Sequence, residues 1–150
     1  MIDLTARILA ALLAFAPGVF LDDYDRPIVI AETIAAHSRN ETEAAVLVAV
    51  GWMESGWRAD VVSEARLGDG GAARGAYQLH NALGIAGDFD AQTEEAARRI
   101  RSSFAQCAAS PYEDRLSVYA SGRDCEAGAA ASRARLAVAR RVLAQMRAAH

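Results

Sequence analysis

No charged residue occurs at positions 44–53, the most apolar stretch of the chain. A helix that is apolar on every side must be buried on every side, so this stretch predicts a central helix. Asn40 precedes it as an N-cap, and acidic residues at 41 and 43 occupy the first turn, where the helix dipole favours negative charge. We expect the helix to end at Glu54-Ser55, with Gly56 in the left-handed conformation that follows many helices.

Apolar residues recur at helical spacing on both sides of this helix. Pro27 suits a first helical position and begins a helix that extends to about residue 38. Downstream, Asp90 is expected to cap a helix that runs to about Cys107. The pattern predicts one globular all-α domain.

Turn and capping residues divide the rest of the chain. The polar, glycine-bearing segment 58–74 predicts a loop. Ser110-Pro111-Tyr112-Glu113 has the form of a capping box with proline at the first helical position, and the helix that follows should stop at Gly122. A last helix is predicted over residues 130–148.

We expect residues 27–150 to form the main domain. Two interpretations are possible for residues 1–26. The apolar run 8–16 follows Arg7, and Ala14-Phe15-Ala16 resembles the small-x-small cleavage site of a secretory signal, although Asp3 and Pro17 do not suit one. The alternative, which we favour, is an amphipathic helix begun by Asp3. Its apolar stripe would consist of Leu4, Ile8, Leu12 and Phe15. The run is too short to span a bilayer, so no stable membrane insertion is expected.

Composition and charge argue against some classes of function. The 150 residues carry a formal net charge of −3, which argues against nucleic acid as the main partner. Charge is unevenly distributed, since 10 of the 16 basic residues, all arginine, lie after residue 97. These basic residues in the last third of the chain could face an anionic polymer or lie on solvated helix faces. The three histidines are scattered, so no metal site is predicted.

One charged residue conflicts with its surroundings. Glu54 directly follows the apolar stretch, where burial and the negative end of the helix dipole both favour the protonated carboxyl. A carboxylic acid that keeps its proton near neutral pH is what a general acid requires. The alternative is that Glu54 turns into solvent and pairs with Arg58, four residues on.

Three short motifs in order resemble one enzyme family. Glu54-Ser55-Gly56-Trp57 ends the predicted central helix, Gly75-Ala76-Tyr77-Gln78 follows the loop, and Tyr119-Ala120-Ser121-Gly122 closes a later helix. Together they resemble the soluble lytic transglycosylases, relatives of goose-type lysozyme. The resemblance covers about residues 27–145 and implies a lysozyme-like fold with a glycan-binding cleft.

The resemblance implies a role for each matching residue. Glu54 would be the general acid and base, and Tyr119 would orient it. Ser55 and Gln78 would bind sugar or fix the cleft wall, and Gly75 would let the backbone approach the glycan. Tyr77 would join them in substrate binding. Ser55 could instead close the helix end, Tyr119 could be a core residue, and Gln78 could be a surface amide.

Two departures from the family pattern stand out. Residues 64–73 form an enlarged loop beside the expected cleft, and Ala120 replaces the asparagine of the third motif. Trp57 could stack on a sugar, but we expect it to cover the core.

The implied reaction is cleavage of the β-1,4 bond after N-acetylmuramic acid, without a cofactor and by a monomer. A transglycosylase needs one carboxylate, because the substrate's own hydroxyl attacks and an anhydro sugar results. A hydrolysing lysozyme needs a second carboxylate, and Asp60, Glu64 and Asp69 are available in the loop. A glycan-binding module without catalysis is a further alternative.

The implied substrate also bears on the two cysteines. Cys107 and Cys125 could be buried thiols or a disulfide. Peptidoglycan lies outside the cytoplasm, where a disulfide would persist, so we expect the bridge and a periplasmic or extracellular protein. The bridge would clamp the helix that carries Tyr119.

Overall fold

The computed structural model describes residues 3–149, which form α-helices around one core and a small hairpin. The expected all-α class is confirmed. The helices are α1 Leu4–Phe15, α2 Arg26–His37, α3 Glu41–Ser55, α4 Ala59–Val62, α5 Phe89–Gln106, α6 Ser117–Ser121 and α7 Ala129–Ala148. The strands β1 Ala73–Arg74 and β2 Leu79–His80 pair antiparallel.

Helix α3 lies at the centre of the fold, as its composition predicts. Every residue from 44 to 51 is buried, and the most extensive packing of α3 is against α7. The Asn40 side chain accepts the backbone N–H of Glu43, and Gly56 ends the helix at φ +60°. Both ends of the central helix are therefore specified locally by the residues that the pattern indicates.

The N-terminal segment contributes a helix to the same core. Helix α1 packs against α2, α3 and α7, and Ile8, Ala11 and Leu12 are buried. Phe15 meets Trp52 of α3 edge to face, with ring centroids 5.9 Å apart. Among residues 3–149, none of the helices has the length and apolarity needed to cross a membrane.

The start of α5 differs from the expectation. Asp88, two residues before the expected Asp90, is the N-cap and accepts the backbone N–H of Ala91 at 2.9 Å. Asp90 lies in the first turn, where its carboxylate is 2.9 Å from the ring of His37. Both aspartates suit a helix start. The side chain of Asp90 contacts His37 of α2, and Asp88 serves as the N-cap.

The predicted helix after Ser110 is interrupted. The capping box does not form, and a 3₁₀ turn, Tyr112–Asp114, precedes the short helix α6. The backbone N–H of Leu116 is donated to the hydroxyl of Ser132 on α7 at 3.0 Å. Packing against α7 thus replaces the bond that a continuous helix would make, although Gly122 ends α6 at φ +66° as expected.

Segment 58–74, expected to be a loop, also contains regular structure. Helix α4 lies near its start, and β1 at its end pairs with β2 through Ala73 and His80. Two-residue strands are too short to give the alternating pattern by which strands are recognised in a sequence.

A disulfide joins Cys107 and Cys125, whose Cα atoms are 5.6 Å apart. The bond links the residue after α5 to the segment between α6 and α7. The expected bridge is therefore present, and it encloses the helix that carries Tyr119.

Two neighbouring leucines test whether α1 belongs to the core. Leu12 is buried, whereas Leu13 is 44% exposed. We expect Leu12→Ala to lower the free energy of unfolding by about 2–5 kcal/mol, because it leaves a cavity among α1, α3 and α7. Leu13→Ala, the matched control, should change it by less than about 0.5 kcal/mol. Equal effects in urea denaturation would contradict the packing of α1 against the core.

Candidate functional site

Glu54, in the last turn of α3, faces a cleft of about 630 Å³. The β-hairpin borders this space, which we call the hairpin half of the cleft. Its lining includes Asp69, Tyr77, Gln78, Arg99, Tyr119 and Arg135. Residues from α3, α5, α6, α7 and the hairpin thus converge on the carboxyl group that the sequence singles out.

The cleft continues past Glu54 on the other side. A second space of about 370 Å³, which we call the loop half, shares Glu54 and Gln78 with the first. Its lining includes Met53, Arg58, Arg66, Leu67 and Gly68. Glu54 therefore lies where the two halves meet, in a groove with room on both sides of the carboxyl group.

The carboxylate of Glu54 is held by Arg135 from α7. Both Nε, at 3.0 Å, and Nη2 of Arg135 donate to the same oxygen, Oε1. Oε2 has no hydrogen-bond partner among the described residues. The sequence predicted a carboxyl group in apolar surroundings that favour its protonated form, or one turned into solvent beside Arg58. The partner of Glu54 is instead Arg135, which the sequence did not indicate, and the pair with Arg58 is absent. Arg58 pairs with Asp60 instead, at 2.9 Å.

Arg135 is the site residue that the sequence did not reveal. It lies 81 positions from Glu54, and its side chain is only 15% exposed. Its Nη1 also donates to the carbonyl of Ala131, one turn earlier on α7. The guanidinium is therefore fixed from its own helix, and a local motif cannot report a contact that depends on how α3 and α7 pack.

Tyr119 brings a buried hydroxyl close to this pair. The hydroxyl has no hydrogen-bond partner among residues 3–149, although the ring lines the cleft. Burial, and next the negative charge of Glu54, raise the pKa of Tyr119 above its usual range, so the hydroxyl keeps its proton and remains a donor. The backbone N–H of Tyr119 is bonded to the Ser103 hydroxyl at 3.1 Å, which fixes α6 on α5.

Tyr77 forms part of the cleft floor and is almost fully buried. Its ring stacks on Phe89, with centroids 6.3 Å apart, and meets Trp57 edge to face at 5.8 Å. Trp57 is 1% exposed and donates its indole N–H to the carbonyl of Val48. Trp57 is thus a core residue, as expected, and Tyr77 presents little more than an edge to the cleft.

Ser55 closes the end of α3. Its hydroxyl donates to the carbonyl of Gly51 at 2.8 Å and accepts the backbone N–H of Trp57 at 3.1 Å. The side chain is buried, and both of its hydrogen bonds stay within the chain. Ser55 thus has the role at the helix end, and it also contributes to the lining of the loop half.

Gly75 is required by a neighbouring side chain. It has φ +72°, and a Cβ at this position would lie 2.0 Å from Oε1 of Gln92. Gln92 in turn donates to Glu64 at 2.7 Å and to the carbonyl of Ile85 at 3.0 Å. The expected reason for a glycine, close approach of the backbone to a glycan, is replaced by internal packing.

Gln78 connects the hairpin with the loop. Its Nε2 donates to the carbonyl of Gly75 at 3.0 Å, and a Cβ on Gly68 would lie 1.9 Å from its Oε1. The backbone of Gln78 has φ +47°, a left-handed conformation that is uncommon for a residue with a side chain. Gln78 is therefore fixed where the two halves of the cleft meet.

The three loop carboxylates lie in different surroundings. Asp60 pairs with Arg58 outside the cleft lining, and the hydrogen bond from Arg58 lowers the pKa of its carboxyl. Glu64 accepts from the backbone of Gly87 and from Gln92, which makes it an anchor of the loop. Asp69 alone among them lines the cleft, where it pairs with His80 at 2.8 Å.

Within the described part of the chain, no group of three or more His, Cys, Asp or Glu side chains could hold a metal ion. In the hairpin half, the charged groups besides Glu54 are the guanidinium groups of Arg99 and Arg135 and the Asp69–His80 pair. These groups can donate and accept hydrogen bonds in the cleft.

Comparisons with protein families, curated proteins and solved structures gave no significant match to this chain.

The Tyr119 hydroxyl has no hydrogen-bond partner among residues 3–149, so its removal should not destabilise the fold. Tyr119→Phe removes a buried polar group that makes no hydrogen bond, so the free energy of unfolding should stay the same or rise by up to about 1 kcal/mol. Ser132→Ala is the control, because the Ser132 hydroxyl bonds both Leu116 and Glu113. That change should cost about 1–3 kcal/mol. A similar loss for Tyr119→Phe in thermal unfolding would mean that its hydroxyl has a partner in solution.

Proposed function

We propose that this chain is a lysozyme-like glycosidase of the lytic transglycosylase type. It would cleave the β-1,4 bond between N-acetylmuramic acid and N-acetylglucosamine in peptidoglycan. The observation that carries the proposal is the position of Glu54, in the middle of a groove that continues on both sides of it. An enzyme that cuts a polymer strand needs such a groove, because the strand must bind on both sides of the reactive group.

The orientation of the carboxyl group supports a role in proton transfer. Arg135 binds only Oε1, so Oε2 is the oxygen available to a glycosidic oxygen in the cleft. Arg135 is thus a positioning residue that fixes the rotamer of Glu54. Tyr119 adds a hydroxyl that stays protonated and can donate to the carboxylate or to a sugar.

The proposed reaction has two proton transfers, both at Oε2. Glu54 first donates a proton to the glycosidic oxygen as the bond from that oxygen to C1 breaks, and the bonding electrons leave with the oxygen. A hydroxyl of the same sugar then attacks C1 and returns its proton to Glu54. The product is an anhydro sugar, and neither water nor a cofactor is consumed.

The disulfide supports a location outside the cytoplasm. Disulfides persist in oxidising compartments, and peptidoglycan is found there. The bond encloses α6, so it restrains the segment that carries Tyr119. We propose a periplasmic or extracellular monomer whose partner is the glycan strand.

Hydrolysis is a second candidate, favoured by one observation. Asp69 lines the same half of the cleft as Glu54 and has a histidine at 2.8 Å. A second carboxylate in the cleft could activate water, as the second carboxylate of a lysozyme-type enzyme does. Water rather than a sugar hydroxyl would then attack C1, and the product would have a reducing end.

Glu54→Gln tests the proposed role of the carboxyl group. The amide keeps the shape of the side chain but cannot donate a proton in the same way, so release of soluble fragments from purified sacculi should fall by about 10²- to 10⁴-fold. Glu32→Gln, at an exposed position on α2, is the control and should retain full activity. If the unaltered chain binds sacculi but releases no fragments, it is a glycan-binding module.

The products distinguish the two reactions. Mass spectrometry of the released fragments should show species one water lighter than hydrolysis products if the chain is a transglycosylase. In that case Asp69→Asn should leave the products and the rate of release largely unchanged. Reducing-end products, together with a loss of activity in Asp69→Asn, would assign the chain as a hydrolase.

A further inference from the structure

The enlarged loop at residues 64–73 contributes to the lining of both halves of the cleft. Arg66, Leu67 and Gly68 line the loop half, and Asp69, the next residue, lines the hairpin half. One short segment thus passes along the groove at the point where Glu54 faces it. Any strand that lies in the groove would contact this segment on both sides of the carboxyl group.

This loop is held by contacts within the protein. The carboxylate of Glu64 accepts from Gly87 at 2.9 Å and from Gln92 at 2.7 Å, and it lies 3.5 Å from Arg74. Further along, the backbone N–H of Gly68 donates to the carbonyl of Ala73 at 2.9 Å. Both ends of the loop are therefore anchored by contacts within the protein.

Arg66 brings a charge into the loop half, and its acidic partner, Asp60, is shared with Arg58. Asp60 is the nearby carboxylate, and its Oδ2 already accepts from Arg58 at 2.9 Å. Arg66 lies 3.9 Å from the same oxygen, beyond hydrogen-bond distance, and its side chain is 62% exposed. Arg58 and Arg66 thus share the carboxylate of Asp60, which leaves N–H groups of Arg66 free to donate to a ligand in the loop half.

Apolar side chains lie beside these donors. Met53 and Leu67 both line the loop half and are 41% and 39% exposed. An exposed apolar pair next to a cation suits a ligand that has both a hydrocarbon surface and an anionic group. A sugar ring with a carboxylate on a short branch has that combination, whereas a neutral chitin-type sugar lacks the anionic group.

We propose that the loop half binds a carboxylate carried on a branch of the sugar, through the guanidinium of Arg66. This inference rests on the proposed function, because it names the chemistry of the strand bound on one side of Glu54. Peptidoglycan offers two sources of such a group. Strands stripped of peptide carry free lactyl carboxylates, whereas strands with peptide stems carry the carboxylates of the stem.

Calorimetry in the Glu54→Gln background tests the proposal without cutting the strand. The ligands are stripped strands, the same strands with every lactyl carboxylate converted to a methyl amide, and strands with peptide stems. Stripped or stem-bearing strands should bind about ten-fold more tightly than the neutral ones, as expected for a hydrogen bond between charged groups. The strand that shows the difference identifies the source of the carboxylate.

Adding Arg66→Gln should abolish this ten-fold difference, and Arg66→Lys should restore part of it. Arg140→Gln is the matched control, because Arg140 is 59% exposed, lies 3.7 Å from its acid and lines neither half of the cleft. That variant should keep the full difference. The proposal is overturned if all strands bind equally, if none binds, or if Arg66→Gln leaves the difference intact. Activity retained by Glu54→Gln would instead refute the proposed function.

Discussion

The burial of α3 is the constraint on which the site depends. Residues 44–51 are enclosed on all sides, so the helix cannot shift or rotate without exposing apolar surface. Glu54 comes one turn after this buried segment and therefore has a fixed position at the surface of the core. The same packing brings α7 alongside α3, and with it Arg135. A carboxylate and its positioning residue are thus placed by the hydrophobic core, although neither is part of it.

The ion pair between Glu54 and Arg135 bears both on the stability of the fold and on the ability of Glu54 to transfer a proton. Both side chains are mostly buried, at 20% and 15% exposed, and each would lose its compensation if the other were removed. A carboxylate bonded to a guanidinium must gain a proton before it can act as an acid. Because both donors occupy Oε1, that proton can be received at Oε2 while the two hydrogen bonds from Arg135 stay in place. The contact with Arg135 is thereby compatible with proton transfer at the free oxygen.

Local features of the fold were predictable from the sequence, whereas contacts between distant segments were not. The cap at Asn40 and the helix end at Gly56 depend on neighbouring residues alone, and both are present. Asp88 was missed because two aspartates suit the start of α5 and only the contact of Asp90 with His37 separates them. Glu54 was found because its charge follows an apolar run, but its partner lies on another helix. Ser55 and Gly75 match the motifs, yet their surroundings in the structure explain them by hydrogen bonding and packing within the chain.

The two walls of the cleft are therefore held in place by different kinds of contact. The wall with Glu54 and Arg135 is built on α3 and α7, so its geometry follows from the core. The opposite wall is a loop whose shape depends on a few polar contacts, chiefly those of Glu64 with Gln92 and Gly87. Gln78 links the walls, since its amide packs over Gly68 of the loop and it lines both halves of the cleft. Substitutions in the loop can change what the groove binds without disturbing the carboxyl group, because the contacts that hold Glu54 all come from the other side.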